Sequence, residues 1–161
     1  MRDTVHVRET VAGARVALVV SRYHEVVTER LERGALAALA AADVGGDAVE
    51  VFHVPGAFEI PMAARQVAQT GRIDAVVCLG CLIKGATPHF EVIASAVAHG
   101  LIAASGDTGV PMTFGVLTTN TMEEALERAA DDPSNKGWEA ATAAVDMLGL
   151  GRRVRGRAGA G

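Results

Sequence analysis

Cysteine is almost missing from the chain, which has only Cys78 and Cys81 among its 161 residues, too few for a disulfide framework. Their C-x-x-C spacing is that of thiol redox enzymes, where the pair opens a helix. Here Cys78 lies inside the apolar run Ala75-Val76-Val77-Cys78-Leu79, and a strand sends residues three apart to opposite faces. The two are therefore expected to be small core or loop residues. Aromatic rings are equally scarce, six in all. No basic excess is present: 15 Lys and Arg stand against 19 Asp and Glu, for a net charge of −4, so the overall footprint expected of a nucleic-acid binder is missing. No uncharged run reaches the roughly 20 residues that span a bilayer. The opening Met1-Arg2-Asp3-Thr4-Val5-His6-Val7-Arg8 lacks the apolar stretch of a signal peptide, which predicts a cytoplasmic protein with no membrane partner. No paired Cys/His spacing offers a metal site, and no G-x-S-x-G elbow suggests a serine hydrolase.

What is abundant is small and apolar. Half the residues are hydrophobic, among them 30 Ala and 21 Val, so these two carry the packing of what the length predicts to be one domain. Strand-like runs alternate with helix-like segments. Strands are expected at 15–21, 48–54, 74–79 and 111–117. Helical spacing recurs through 25–42, in Ile60, Ala64, Val67 and Ala68, in Phe90, Ile93, Val97 and Leu101, and in Trp138, Ala141, Val145 and Leu148, with a short helix starting near Thr121. Such β-α alternation means a parallel sheet with helices on both faces. Residues 1–13 read as an N-terminal extension, 14–149 as the domain, and 150–161, with Arg152, Arg153, Arg155 and Arg157 among Gly and Ala, as a disordered basic tail.

Ligands of such sheets sit beyond the carboxyl ends of the strands. Four segments fall there: Arg22-Tyr23-His24, Pro55-Gly56-Ala57-Phe58-Glu59, Gly80 to His89, of which Gly80 to Pro88 is expected to be a loop, and Thr118-Thr119-Asn120. The third has the glycine spacing of a P-loop, but Ala86 stands where the phosphate-binding lysine belongs, which excludes nucleotide hydrolysis. Gly85-Ala86-Thr87 can still present backbone N–H groups and a helix N-terminus to an anion; the competing reading is a glycine turn with Thr87 as a helix cap. His89 follows at the mouth of that site, and a histidine moves protons near neutral pH. Tyr23 is the ring expected to be exposed, where it could stack on a flat heterocycle. Phe58, Phe90, Phe114 and Trp138 are each expected in the core, and Arg128 and Lys136 are solvated charges unless something phosphorylated lies close.

Taken together, Val54-Pro55-Gly56-Ala57-Phe58-Glu59-Ile60-Pro61, Ile83-Lys84-Gly85-Ala86-Thr87-Pro88-His89-Phe90, Phe114-Gly115-Val116-Leu117-Thr118, Glu124-Ala125-Leu126-Glu127-Arg128 and Asn135-Lys136-Gly137 resemble the lumazine synthase family from about Val16 to Leu148. The resemblance implies an α/β three-layer sandwich with a four-stranded parallel sheet in the flavodoxin-like order 2-1-3-4. It implies condensation of 5-amino-6-(D-ribitylamino)uracil with 3,4-dihydroxy-2-butanone 4-phosphate to 6,7-dimethyl-8-ribityllumazine, phosphate and water, a transferase-class step of riboflavin biosynthesis. It assigns Tyr23, Ala57, Phe58, Glu59, Leu82, Ile83, Phe114 and Lys136 to the pyrimidine and its ribityl chain, Gly85, Ala86, Thr87 and Arg128 to the phosphate, and His89 to proton transfer. No cofactor and no metal is implied. The partners implied are the two small substrates and further copies of the chain, as a pentamer or a sixty-subunit icosahedral shell in which Phe114 and Arg128 reach the neighbouring subunit's site. Tyr23 replaces a usual Phe or Trp, His24 a frequent Asn, and Lys84 a common Arg. The alternative reading is a relative that binds flavin or lumazine, or forms a shell, without catalysis.

Overall fold

The computed structural model describes residues 11–159; the expected N-terminal extension lies largely outside them. Four strands, β1 (Val16–Ser21), β2 (Val49–Val54), β3 (Ala75–Ile83) and β4 (Met112–Thr119), alternate with helices α1 (Glu25–Ala41), α2 (Ile60–Gln69), α3 (His89–Thr108), α4 (Met122–Arg128) and α5 (Lys136–Gly159). All strand pairs are parallel, and the order is β2-β1-β3-β4, the sandwich expected of the sequence.

Strand alternation divides the core in two. Val16, Leu18 and Val20 of β1 and Ala75, Val77, Leu79 and Cys81 of β3 pack against Val27, Leu31, Ala35 and Leu39 of α1 and Ala141, Ala144 and Leu148 of α5. Ala17, Val19, Val76 and Cys78 face the other way, onto Ile60 and Ala64 of α2 and Val97 and Leu101 of α3. A strand buried on both faces needs apolar residues at every position, which is why β1 reads as an unbroken run. The two cysteines fall in opposite layers, as strand geometry requires. Burial pushes the Cys81 thiol up to about 11 and raises that of Cys78 further, so neither offers the thiolate that redox exchange uses.

Two expectations differ from the structure. Gly80 to Ile83 continue β3 instead of opening a loop, pairing Gly80 with Val116 and Ile83 with Thr119. Gly80 marks a crowded point rather than a turn: a Cβ there would lie 3.1 Å from Ser21 Oγ and 3.2 Å from Ile60 Cδ1, and glycine inside a strand often records such an approach. At the other end, α5 carries on to Gly159, through most of the segment 150–161 expected to be a disordered tail. Arg152 ties this extension back by donating to the Ala12 carbonyl at 2.9 Å.

Candidate active site

The carboxyl ends of β1 and β2 fix the first group of residues. Beyond the last strand pair, Arg22 N–H donates to Val54 O at 2.8 Å and Tyr23 N–H to Pro55 O at 3.1 Å, so the backbone of Tyr23 is held against the β2 turn. His24 then turns the chain with φ 61° and ψ 51°, a left-handed conformation uncommon for a residue with a side chain. Its carbonyl accepts from Val27 and Thr28 N–H, which starts α1. The Tyr23 side chain is left 66% exposed, as expected, and the His24 ring meets it edge-on at 4.5 Å between centroids. His24 is half-buried, and desolvation lowers its pKa from the ordinary histidine value, which favours the neutral ring.

Beside this ring, a 3-10 turn spans Ala57–Glu59. Ala57 is buried, whereas Glu59 is exposed and Phe58 is 65% exposed. Phe58 is thus no core residue. Leu82 and Ile83 are half-buried, one packed to each side of the sheet. The β1–β3 ladder ends at Val20 and Leu79, while β3 stays paired to β4 as far as Ile83 and Thr119. From Gly80 onward the β1-facing edge of β3 has left that ladder, so its backbone groups can serve a polar ring edge.

Lys84, whose N–H donates to Thr119 O at 2.9 Å, leads into the exposed stretch Gly85-Ala86-Thr87. The residue that caps α3 is Pro88, with no side-chain cap bond, so Thr87 does not play the capping role that was the competing reading. The first N–H groups of a helix have no partner inside it, and with no capping side chain those of α3 open toward the Gly85–Thr87 stretch. A Cβ at Gly85 would meet nothing within 4 Å. His89, the first residue of α3, is exposed beside these groups.

The second group lies along β4. A cleft of about 390 Å³ is lined by Phe114, Gly115, Arg128, Lys136, Glu139 and Ala140 among others. Phe114, expected in the core, is 46% exposed, because β4 is the edge strand. Arg128 ends α4 and donates from Nη1 to Glu124 O at 3.1 Å. Lys136 Nζ pairs with Glu139 Oε2 at 2.9 Å. Sequence reasoning passed over Glu139, although its spacing of three from Lys136 on one helix is a readable signal. None of Tyr23, Ala57, Phe58, Glu59, Leu82, Ile83, Gly85, Ala86, Thr87 or His89 lines this cleft. The sequence-derived residues therefore form two surfaces, one at the ends of β1 to β3 and the start of α3, the other between β4, α4 and α5. Among the described residues no cluster of His, Cys, Asp and Glu is arranged to hold a metal, and no helix is long and apolar enough to cross a membrane.

Comparison with known proteins bears on what these surfaces do. The sequence profile of the 6,7-dimethyl-8-ribityllumazine synthase family matches residues 13–152. A 6,7-dimethyl-8-ribityllumazine synthase of Syntrophus aciditrophicus (strain SB) is 47% identical over 142 residues, covering 88% of this chain and 92% of the relative. One of Chlorobium phaeovibrioides (strain DSM 265 / 1930) is 47% identical over 141 residues, covering 88% and 91%.

Proposed function

The chain belongs to the 6,7-dimethyl-8-ribityllumazine synthase family, and we propose that its two surfaces are the two halves of the site at which it works. The enzyme condenses 5-amino-6-(D-ribitylamino)uracil with 3,4-dihydroxy-2-butanone 4-phosphate to 6,7-dimethyl-8-ribityllumazine, releasing phosphate and water, in riboflavin biosynthesis.

In this reading the pyrimidine stacks on Tyr23. Ala57 and Phe58 wall it, the backbone of Leu82 and Ile83 meets its polar edge, and Glu59 accepts from ribityl hydroxyls. The phosphate lies on the backbone of Gly85, Ala86 and Thr87 at the α3 N-terminus, where the free N–H groups and the helix dipole favour an anion. Glycine at 85 suits a close approach, since nothing within the chain itself demands it. Phe114, Arg128 and Lys136 come from the β4 cleft of a neighbouring copy, with Arg128 completing the phosphate clamp. That the cleft holds these three and none of the first group is the observation that carries the two-halves reading. It makes the enzyme a homo-oligomer, with a pentamer as the unit that closes the ring of shared sites.

The substrates bring their own nucleophile and electrophile, so the protein contributes orientation and proton movement. An amine of the pyrimidine attacks the ketone, water leaves to give an imine, and phosphate departs by elimination. The enol left by that elimination tautomerises to a ketone, which the second amine attacks to close the ring as a second water leaves. Each step moves a proton, and His89, beside the phosphate loop and open to the substrate, is the group that gives and takes it. The reaction is of transferase class and its substrates are small and polar, which fits a cytoplasmic enzyme.

The test is to mix purified protein with both substrates and follow lumazine fluorescence. A rate well above the spontaneous condensation is expected. A rate equal to it would leave a binder or shell protein in place of an enzyme.

A further inference from the structure

Asn135 is 1% exposed, and nothing in the reaction touches it, yet every polar atom of its side chain is engaged. Nδ2 donates to the carbonyls of Arg30 at 3.1 Å and Ala130 at 3.0 Å. Oδ1 accepts from Gly137 N–H at 2.7 Å and Trp138 N–H at 3.2 Å. Two carbonyls on one side and two N–H groups on the other fix which way the amide points and use the two N–H bonds and the acceptor oxygen together, a set that no other side chain of this size supplies. The four bonds join α1, the exit of α4 and the start of α5.

The surroundings are built around this amide. A Cβ on Gly34 of α1 would run into Asn135 Oδ1, and one on Gly137 would run into the Leu31 carbonyl, so both glycines are needed for α1 and α5 to close over it. Between α4 and α5, Ser134 donates from both its N–H and its hydroxyl to Asp132 Oδ1, and Asn135 N–H donates to Asp132 O at 3.0 Å. Ala130 lies two residues past Arg128, and Lys136 is the residue after Asn135. The same side chain therefore anchors the backbone on either side of the gap between the two cations that line the cleft.

We infer that Asn135 is a positioning residue for the phosphorylated substrate, holding Arg128 in place by tying the α4 exit to α1 and to the α5 start. The inference rests on the reading of Arg128 as a phosphate contact. Holding the Arg128 side chain's backbone support in place before the anion arrives removes an ordering cost from binding. The amide acts mainly through Arg128; of the pyrimidine contacts it neighbours only Lys136, and it leaves the Tyr23 surface, where most of them lie, alone.

The test compares Asn135→Asp and Arg128→Ala with the parent by steady-state kinetics in each substrate. In Asn135→Asp the carboxylate still accepts from the α5 N–H groups but faces two carbonyls with no donor. KM for the butanone phosphate is expected to rise about tenfold, as for loss of one well-placed charge-assisted contact, while KM for the pyrimidine moves less than about twofold. Should the aspartate variant fail to fold, Asn135→Ser carries the same expectation, since its hydroxyl still caps α5. A merely structural role would raise both KM values together or neither, and either result overturns the inference. Arg128→Ala separates this from the reading beneath it. If it leaves KM for the butanone phosphate unchanged, the phosphate clamp itself is wrong. If it raises that KM while the Asn135 variants do not, the clamp stands and the positioning role falls.

Discussion

His89 carries the proton steps in this account, and it does so from an exposed position at the start of α3, with no partner among the described residues that its loss would orphan. Replacing it should therefore cost rate and little else. His89→Ala is expected to lower kcat on the order of 10²-fold, the lower end for general acid–base catalysis, with the pyrimidine bound as before; steady-state kinetics and a binding titration check both halves. Residue identity told this much because histidine, exposed tyrosine and a glycine loop announce chemistry wherever a strand ends. It told less about Phe114 and Phe58, expected in the core and found exposed, since periodicity along one segment reveals neither which strand lies at the sheet edge nor which way a short 3-10 turn faces. Asn135 could not be found that way at all. Its bond to Arg30 spans 105 positions, which no pattern within one segment shows.

At the scale of elements, α4 is the weakest support under a functional side chain. It has seven residues, too few to be stable by propensity, and Arg128 is its last. Its start is held from both sides: Thr121 Oγ1 accepts from Glu124 N–H at 3.1 Å, and Glu124 Oε2 accepts from Asn120 N–H at 2.9 Å, a relative of the capping box in which the glutamate reaches the residue before the cap. Thr121→Ala should lower stability by about 1 kcal/mol, read from denaturant unfolding at unchanged m. The strands, four of four, and their parallel pairing were legible because alternation of β-branched runs with helical spacing has few other solutions. The end of β3 was not. Gly80 looks like a turn in sequence, and only the packing of Ser21, Ile60 and Val116 around it explains a glycine in the middle of a strand. The last turns of α5 escaped notice because glycine and arginine show no apolar period.

For the whole molecule, the scarcity of rings takes on meaning. Ala and Val fill the two core layers, while Tyr23, Phe58 and Phe114 stay exposed at the two surfaces. Aromatics left this exposed are what a stacking substrate and a shared interface both use. If a site takes Tyr23 and His89 from one copy and Phe114 and Arg128 from the next, two differently disabled chains can restore each other. His89→Ala and Arg128→Ala, co-expressed and purified as mixed oligomers, form some interfaces where both lesions fall in one site and others where neither does. The most direct measurement is the lumazine-forming rate of such mixtures against each variant alone. Recovery well above the sum of the two single variants is predicted, and a mixture no faster than that sum would contradict a site built from two copies of the chain.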